Sequence, residues 1–239
     1  MRLMSYNIHK GIGGRDRRYR LNRIIEVIEE ARPDVMCLQE VDQNVRRSRY
    51  HDQPKLLAEH FEVADSHYQQ NVFIKKGGYG NLILSRWPFI SQYQVSLRLG
   101  QYKPRGAQLV VIQTPSGPLH LVHWHLGLRE KERRWQVRQL LGHVLFQENA
   151  KLPTLFVGDT NDWRDRLASK VFPEHQVKQA TNPPRRFRSF PAYLPMVSVD
   201  KLFYRGPVMI ENIDLMRTKI SRRASDHLPL VADVKLTNR

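Results

Sequence analysis

An apolar run that ends at a glycine and passes directly into polar residues constrains the fold of this chain most. The segment Leu155–Val157 has the β-branched and aromatic character of a buried strand, and Gly158 permits a sharp bend after it. Asp159 follows, where a carboxylate could orient a water or accept its proton, and Asn161 lies on the same side of an extended chain, where it could donate to a phosphoryl oxygen. The pattern indicates either a rigid strand that presents catalytic groups or an ordinary turn after a core strand.

Two segments near the start of the chain also read as strands that end in polar side chains. Arg2–His9 alternates apolar and polar residues and places Asn7 near its end. Asp34–Val41 is mostly apolar, and Glu40 stands at its end. A carboxylate buried without a partner is costly, so we expect Glu40 either to bind a metal ion or to pair with a basic neighbour.

Hydrophobic spacing predicts helices between the strands. Apolar residues recur at helical intervals from Leu21 to Ala31, and Pro33 closes that segment. A short helix is predicted from Asp52 to His60. A third helix follows His125, and its predicted core face consists of Trp135, Val137, Leu140, Leu141, Val144 and Leu145.

A hairpin is predicted in the middle of the chain. Ala107–Gln113 and Leu119–His125 are strand-like and flank a turn sequence rich in proline and glycine. His123 and His125 point the same way in the second strand, which would suit a zinc pair. The alternatives are that only one of them faces a site or that both are structural.

The C-terminal third mixes a predicted loop with predicted strands. Arg164–Pro195 shows little periodicity and is expected to be an exposed loop. Strands are predicted at Val197–Tyr204, which carries Asp200, at Val208–Leu215, and at Leu230–Val234.

Ser225-Asp226-His227 stands just before the last predicted strand. Adjacent acidic and imidazole side chains at that point indicate either an acid/base pair or a capped turn.

Charge narrows the class of partner. The chain has 39 Lys and Arg residues against 23 Asp and Glu residues, a formal charge of +16. The basic residues cluster at Arg15–Arg20, Arg46–Arg49, Lys131–Arg134 and Arg185–Arg188. Such a field attracts nucleic acid, anionic membranes or phosphorylated small molecules, although a merely solvated basic surface has the same composition.

Length and cysteine usage set the remaining bounds. The 239 residues fit one domain spanning 1–239, since no linker or repeat interrupts them. Cys37 is the only cysteine, so no disulfide forms within the chain, and a reducing, cytoplasmic location is expected. No apolar stretch of about 18 residues occurs, which predicts a soluble chain with at most peripheral contact with an anionic membrane. No obligate protein partner is implied.

Seven short motifs together resemble those of the endonuclease/exonuclease/phosphatase superfamily, in that family's order. They are Ser5-Tyr6-Asn7-Ile8, Leu38-Gln39-Glu40-Val41, Gly80-Asn81, His125-Leu126, Gly158-Asp159-Thr160-Asn161, Asp200 and Ser225-Asp226-His227. The resemblance implies an α/β (α+β) fold, a four-layer α-β-β-α sandwich of two mostly antiparallel sheets with helices outside. It also implies phosphoester hydrolysis with a divalent cation, usually Mg²⁺, with Mn²⁺ also suitable for oxygen ligands.

Roles carried over by this resemblance fall into two groups. Glu40 resembles the main metal ligand, with Asn7 beside it and Asp226 near the same ion. Asp159 resembles the residue that orients or deprotonates the attacking water, and Asp200 resembles the partner that orients His227. The resemblance does not decide whether Asp159 or His227 takes the proton.

The remaining candidates concern the substrate. His125 and Asn161 resemble groups that contact the phosphate and stabilise the transition state. We assign substrate binding to Asn81, Trp163 and Arg188. The sequence thus predicts a metal-dependent phosphodiesterase acting on nucleic acid, with a phospholipid headgroup, inositol phosphate or other small phosphoester as the alternative substrate.

Overall fold

Strand-forming segments make up two six-stranded sheets in the computed structural model, which describes residues 1–237. The first sheet has the spatial order β11 (Val208–Leu215), β12 (Leu230–Leu236), β1 (Arg2–Asn7), β2 (Val35–Gln43), β4 (Gly77–Ser85) and β3 (Asp65–Ile74). The second has the order β5 (Phe89–Ser96), β6 (Gly106–Thr114), β7 (Gly117–His125), β8 (Thr154–Asp159), β10 (Asp200–Arg205) and β9 (Lys178–Gln179). Only β1 with β2 and β7 with β8 pair in parallel.

Helices cover the outer face of each sheet. They are α1 (Leu21–Ala31), α2 (Gln53–His60), α3 (Glu130–Leu141), α4 (Val144–Gln147), α5 (Arg166–Lys170) and α6 (Ser221–Ala224). Short 3-10 turns lie at His9–Gly11, Arg46–Ser48 and Phe172–His175. Among residues 1–237, no helix is long and apolar enough to cross a membrane.

Three hydrophobic clusters define the layers. The central cluster joins the facing sides of the two sheets and includes Leu3, Val110 and Leu155. A second cluster packs α1, α2 and α6 on the outside of the first sheet, and a third packs α3, α4 and α5 on the outside of the second. This arrangement confirms the predicted four-layer α-β-β-α sandwich with mostly antiparallel sheets.

The predicted helix Leu21–Ala31 is confirmed residue for residue, and the predicted helix from Asp52 begins at Gln53 with Asp52 as its N-cap. The exposed loop predicted at Arg164–Pro195 is wrong in part. It contains α5 and β9, and it buries Leu167 and Phe172 against the second sheet. Its elements are too short to show hydrophobic periodicity.

Two smaller predictions also need correction. The strand predicted at Val197–Tyr204 begins only at Asp200, so its polar residue opens the strand. Val144, predicted to lie on a core face, is exposed because α3 ends at Leu141 and Val144 begins the separate short helix α4.

The strand directions bring many loops to one edge of the sandwich. Asn7 and Asp159, each the last residue of its strand, are joined across the two sheets by a hydrogen bond. We call the loops at this edge the site-edge loops; they comprise residues 8–20, 44–52, 75–76, 97–105, 126–129, 160–165, 180–199 and 216–229.

Candidate functional site

Strand register delivers three polar side chains to one level of the second sheet. His125 at the end of β7 lies opposite Asp159 at the end of β8, and Asp200 at the start of β10 lies opposite Asp159 on the other side. Gly158, just before them, has φ +139°, and a Cβ there would collide with the Trp124 carbonyl oxygen. The glycine is therefore required for β8 to lie this close to β7.

Asp159 is almost completely buried and is the centre of the cluster. Its Oδ2 accepts a hydrogen bond from Asn7 Nδ2 at 3.2 Å and lies 3.3 Å from His125 Nε2, while its Oδ1 accepts from the Asn161 backbone N–H at 2.9 Å. Burial raises the pKa of Asp159 to about 6, with Asp200 adding to the effect and His227 opposing it. A carboxylate so placed accepts a proton more readily than an exposed one.

His227 joins Asp159 to Asp200. Its Nδ1 is hydrogen-bonded to Asp200 Oδ2 at 2.8 Å, and its Nε2 lies 3.8 Å from Asp159 Oδ2. Ser189 Oγ donates to the same Asp200 oxygen at 2.5 Å, and the Phe190 ring packs 4.9 Å from the imidazole. Burial opposes protonation of His227, but the Asp200 and Asp159 carboxylates outweigh it and raise the pKa of His227 to about 10. The imidazole of His227 is therefore protonated and positively charged at neutral pH.

His125 has the opposite character. Burial, reinforced by the nearby charge of Arg105, holds the pKa of His125 well below its usual range. A neutral imidazole in this position can donate a hydrogen bond without adding positive charge. The two histidines beside Asp159 thus offer one neutral and one charged group.

Arg105 is the residue that sequence reasoning missed. Its side chain is buried, with the residue only 6% exposed, and its Nε has no hydrogen-bond partner. Within residues 1–237 it forms no ion pair with a carboxylate, although its charge acts on both Asp159 and His125. A buried guanidinium without a carboxylate partner is costly, and an anion bound from outside the chain would lower that cost. Its place directly before the β6 strand was the available signal.

Glu40 lies on the first sheet at an irregularity in β2. The pairing of β2 with β4 shifts register after Leu38, and Glu40 has φ +56°, so its side chain leaves the regular alternation of the strand. The carboxylate pairs with Lys10 Nζ. Burial alone would raise the pKa of Glu40, but Lys10, with smaller effects from Lys103 and His9, holds it below the usual range.

Asn7 and Asp226 lie beside the same loop as Lys10. Asn7 Oδ1 accepts the His9 backbone N–H at 3.0 Å, and Asp226 Oδ2 lies 3.7 Å from His9 Nε2. Carboxylate and amide oxygens are the ligands that Mg²⁺ and Mn²⁺ prefer. The buried Glu40 carboxylate already lies beside one cation, the Lys10 ammonium, so a positive charge is stabilised at this position. The donor set of Glu40, Asn7 and Asp226 therefore fits a divalent cation.

A second group of donors is closer together. Single ligand atoms of Asp159, Asp200 and His227 lie within 4.8 Å of one another, and Asp200 Oδ1 is buried without a hydrogen-bond partner. This group too could bind a metal ion. Its histidine is hydrogen-bonded to Asp200 through Nδ1, and its Nε2 points toward Asp159.

The possible zinc pair is not formed. His123 lies between the sheets, where Gln39 Nε2 approaches its Nε2 at 2.7 Å and its Nδ1 bonds Gln108 Oε1 at 2.9 Å. Burial lowers the pKa of His123 to about 3, so the ring is a neutral bridge. Of the two histidines, only His125 faces the Asp159 cluster.

The remaining predicted residues lie around the cluster. Asn161 has φ +52°, so the chain is not extended there, and its Nδ2 donates to the Leu126 carbonyl at 2.9 Å. Asn81 is buried and its Nδ2 donates to the Gly106 carbonyl at 3.2 Å, next to Arg105. Trp163 is exposed on the loop after β8, and Arg188 is exposed on the loop before β10. The structure brings none of these last three into direct contact with Asp159.

Known proteins are similar to this chain over nearly its whole length. The uncharacterized protein YbhP of Escherichia coli K12 is 27% identical over 246 residues, which cover 98% of this chain and 96% of YbhP. An endonuclease/exonuclease/phosphatase from Beutenbergia cavernae superposes with a TM-score of 0.85 at 23% identity, covering all of this chain and 72% of that one. The human Nocturnin catalytic domain, solved with bound sulfate, gives 0.77 at 20% identity and covers 99% and 94%.

The two structural likenesses establish the shared fold. A family model described as endonuclease/exonuclease/phosphatase family matches residues 4–227, which is nearly the whole chain and includes every motif from Asn7 to His227. The chain therefore belongs to the endonuclease/exonuclease/phosphatase family.

Proposed function

We propose that this protein hydrolyses a phosphoester with the help of a divalent cation. Members of its family are typically phosphoester hydrolases. The observation that carries the proposal is the convergence on Asp159 of Asn7, neutral His125 and cationic His227, beside the buried and unpaired Arg105. That combination offers a proton acceptor, hydrogen-bond donors and a positive charge suited to a phosphoryl group.

Each residue then has a role in the displacement. Asp159 takes a proton as the water oxygen bonds to phosphorus and the bond from phosphorus to the leaving oxygen breaks. His227 remains protonated, oriented by Asp200, and stabilises the negative charge on the phosphoryl oxygens. We favour Asp159 as the base because the raised pKa of His227 leaves no free lone pair on its ring at neutral pH.

Glu40, Asn7 and Asp226 would hold the cation. When bound there, Mg²⁺ or Mn²⁺ would offset charge on the non-bridging and leaving oxygens. Arg105 and His125 would contact the phosphoryl group from the second sheet, and Asn161 would add a donor.

The test is the hydrolysis of bis(p-nitrophenyl) phosphate by purified protein. We expect activity with Mg²⁺ or Mn²⁺ and its loss with a chelator. Asp159→Asn should lose this activity. Asp214→Asn, the same change at an exposed residue of β11, is its matched control and should keep wild-type activity. Equal rates with metal and with chelator would contradict metal dependence.

Two classes of natural substrate fit this chemistry. The net positive charge of the chain and the exposed aromatic ring of Trp163 support a nucleic-acid phosphodiester, since phosphates bind cations and bases stack on aromatic rings. Metal-dependent nicking of supercoiled plasmid would test that class. A phospholipid headgroup is the second candidate, and it is favoured by aliphatic side chains exposed around the site.

A further inference from the structure

Large apolar side chains are exposed on the same edge of the sandwich as the Asp159 cluster. Leu128 is 72% exposed on the loop after β7, and Trp163 is 52% exposed on the loop after β8. Leu194 and Met196, on the loop before β10, are 61% and 62% exposed. Scattered single apolar residues are normal on protein surfaces, but a group on one edge marks an interaction surface.

These three loops are tied to one another around the site. Arg133 donates to the Leu128 carbonyl and lies 3.5 Å from Asp162, next to Trp163. The Thr160 backbone N–H and side-chain hydroxyl both donate to the Val199 carbonyl, which ties the loop before β10 to the loop after β8. The exposed side chains thus lie on loops that are hydrogen-bonded to one another or to α3.

The opposite edge of the sandwich lacks this feature. Its loops comprise residues 32–34, 61–64, 86–88, 115–116, 148–153 and 206–207. None of the exposed large apolar side chains within residues 1–237 lies in them. The two edges therefore differ, while the exposed large apolar side chains of residues 1–237 that lie outside both sets of loops, such as Ile90 and Met209, are on strands and helices.

Cations are interleaved with the apolar residues. Arg129 follows Leu128, and Arg164 lies over the Trp163 ring at 4.3 Å from Arg164 Cζ to the ring centroid. The loop at 97–105 carries Arg98, Lys103 and Arg105 with no acidic residue. The loop at 180–199, likewise without an acidic residue, adds further arginines ahead of Leu194.

Aliphatic exposure distinguishes between polyanionic partners. Single-stranded nucleic acid is bound by cations and stacking aromatics, and duplex DNA accepts leucine or methionine only as wedges between base steps. A group of exposed aliphatic side chains spread over several loops fits neither arrangement well. A bilayer interface binds apolar and cationic side chains together, because aliphatic and tryptophan side chains enter the acyl boundary while Arg and Lys contact anionic headgroups.

We propose that the site-edge loops dock on an anionic membrane surface and present the Asp159 cluster to a phosphoester in the lipid headgroups. The choice of a headgroup as substrate rests on the proposed function, whereas docking does not. Leu128, Trp163, Leu194 and Met196 enter the interface, and the flanking arginines bind phosphate groups around it.

Sedimentation with vesicles tests docking directly. The protein is spun with vesicles of phosphatidylcholine alone and of phosphatidylcholine mixed with phosphatidylglycerol. We expect binding to the mixed vesicles, and a blue shift of Trp emission that Trp163→Phe abolishes. The combined variant Leu128→Ser, Leu194→Ser, Met196→Ser should bind the mixed vesicles at least about tenfold more weakly. It lacks three apolar side chains that would be partly buried in the bilayer.

A matched control removes exposed apolar side chains elsewhere. Ile90→Ser, Val144→Ser and Met209→Ser together change exposed residues that lie outside the site-edge loops. This variant should bind the mixed vesicles like the wild type. Thermal unfolding of both variants, compared with wild type, shows that neither has lost its fold.

The outcomes separate docking from the proposed function. No binding of wild type to the mixed vesicles, or equal binding by the site-edge variant, overturns docking. Binding to duplex DNA that outcompetes the mixed vesicles, with metal-dependent nicking, assigns this edge to nucleic acid and also overturns it. Binding to vesicles by a protein that hydrolyses no diester leaves docking standing and removes the proposed hydrolysis.

Discussion

At the scale of single residues, the site is a set of buried charged side chains, most of which pair with an opposite charge. Asp159, Asp200 and His227 form a connected group, and Lys10 neutralises Glu40. Among the buried Arg and Lys side chains of residues 1–237, Arg133 and Lys201 have carboxylate partners and Arg105 does not. Buried polar groups are normally paired, so this exception is explained most simply by an anionic ligand.

Arg105 should therefore be needed for anion binding. Arg105→Met is expected to weaken competitive inhibition by inorganic phosphate by about tenfold or more, the value of a lost charged hydrogen bond. Arg98→Met, an exposed arginine in the same loop, is the control and should leave inhibition unchanged. Equal inhibition of Arg105→Met and wild type would show that the guanidinium does not face the ligand.

Glu40 should couple cation binding to stability. Because a ligand that binds only the folded state stabilises it, Mg²⁺ should raise the midpoint of thermal unfolding of the wild type. Glu40→Gln removes the charged ligand, so its midpoint should no longer respond to Mg²⁺. A variant that keeps the full Mg²⁺ response would place the cation elsewhere, with the Asp159, Asp200 and His227 group next in line.

His227 should make the stability of the metal-free protein depend on pH. Its pKa rises from about 6.5 in the unfolded chain to about 10 in the folded protein, so its stabilising effect is complete below pH 6.5 and is lost toward pH 10. In chelator, the free energy of unfolding of wild type minus that of His227→Asn should shrink by a few kcal/mol over this range. A difference that stays constant would mean that His227 is not held as a cation.

Several residue identities were predictable because they depend on local sequence. Polar residues that interrupt or end apolar segments, such as Asn7, Glu40 and Asp159, stand out from their neighbours. Arg105 did not, because its isolation depends on the absence of acids from distant segments. The partnership of Asp200 with His227 came from the family resemblance, since 27 residues separate them.

At the scale of elements, the site depends on where strands end and how closely they approach. Parallel pairing of β7 with β8 and antiparallel pairing of β8 with β10 align three strand ends. The irregularity in β2 turns Glu40 out of the strand. Long periodic elements such as α1 were predictable, whereas the short helix α5 was not, because it is stabilised by packing of Leu167 and not by its own periodicity.

Gly158 should be indispensable to this alignment. Gly158→Ala would put a methyl group against the Trp124 carbonyl at a positive φ, so we expect a loss of about 2–4 kcal/mol in the free energy of unfolding. Gly142→Ala is the control, because its Cβ would come no closer than 3.4 Å to another atom. Urea denaturation of both variants measures the difference, and equal stability would refute the steric requirement.

At the scale of the whole molecule, the sandwich separates stability from function. Its central hydrophobic cluster holds the two sheets together, while the site-edge loops carry polar, basic and exposed apolar side chains. The four-layer architecture was predictable through the resemblance, which supplied the pairing of distant strands that periodicity alone does not. The net charge of +16 indicated an anionic partner but not where on the surface it would bind.

The central claim is that Asp159 is the proton acceptor of a metal-dependent phosphoester hydrolase. The most direct measurement is the rate of bis(p-nitrophenyl) phosphate hydrolysis by Asp159→Asn and wild type at equal Mg²⁺. Asparagine keeps the size of the side chain but cannot take the proton, so we predict a fall in kcat of about 10²–10⁴-fold with an intact fold. A folded Asp159→Asn protein that retains most of the wild-type rate would contradict the account.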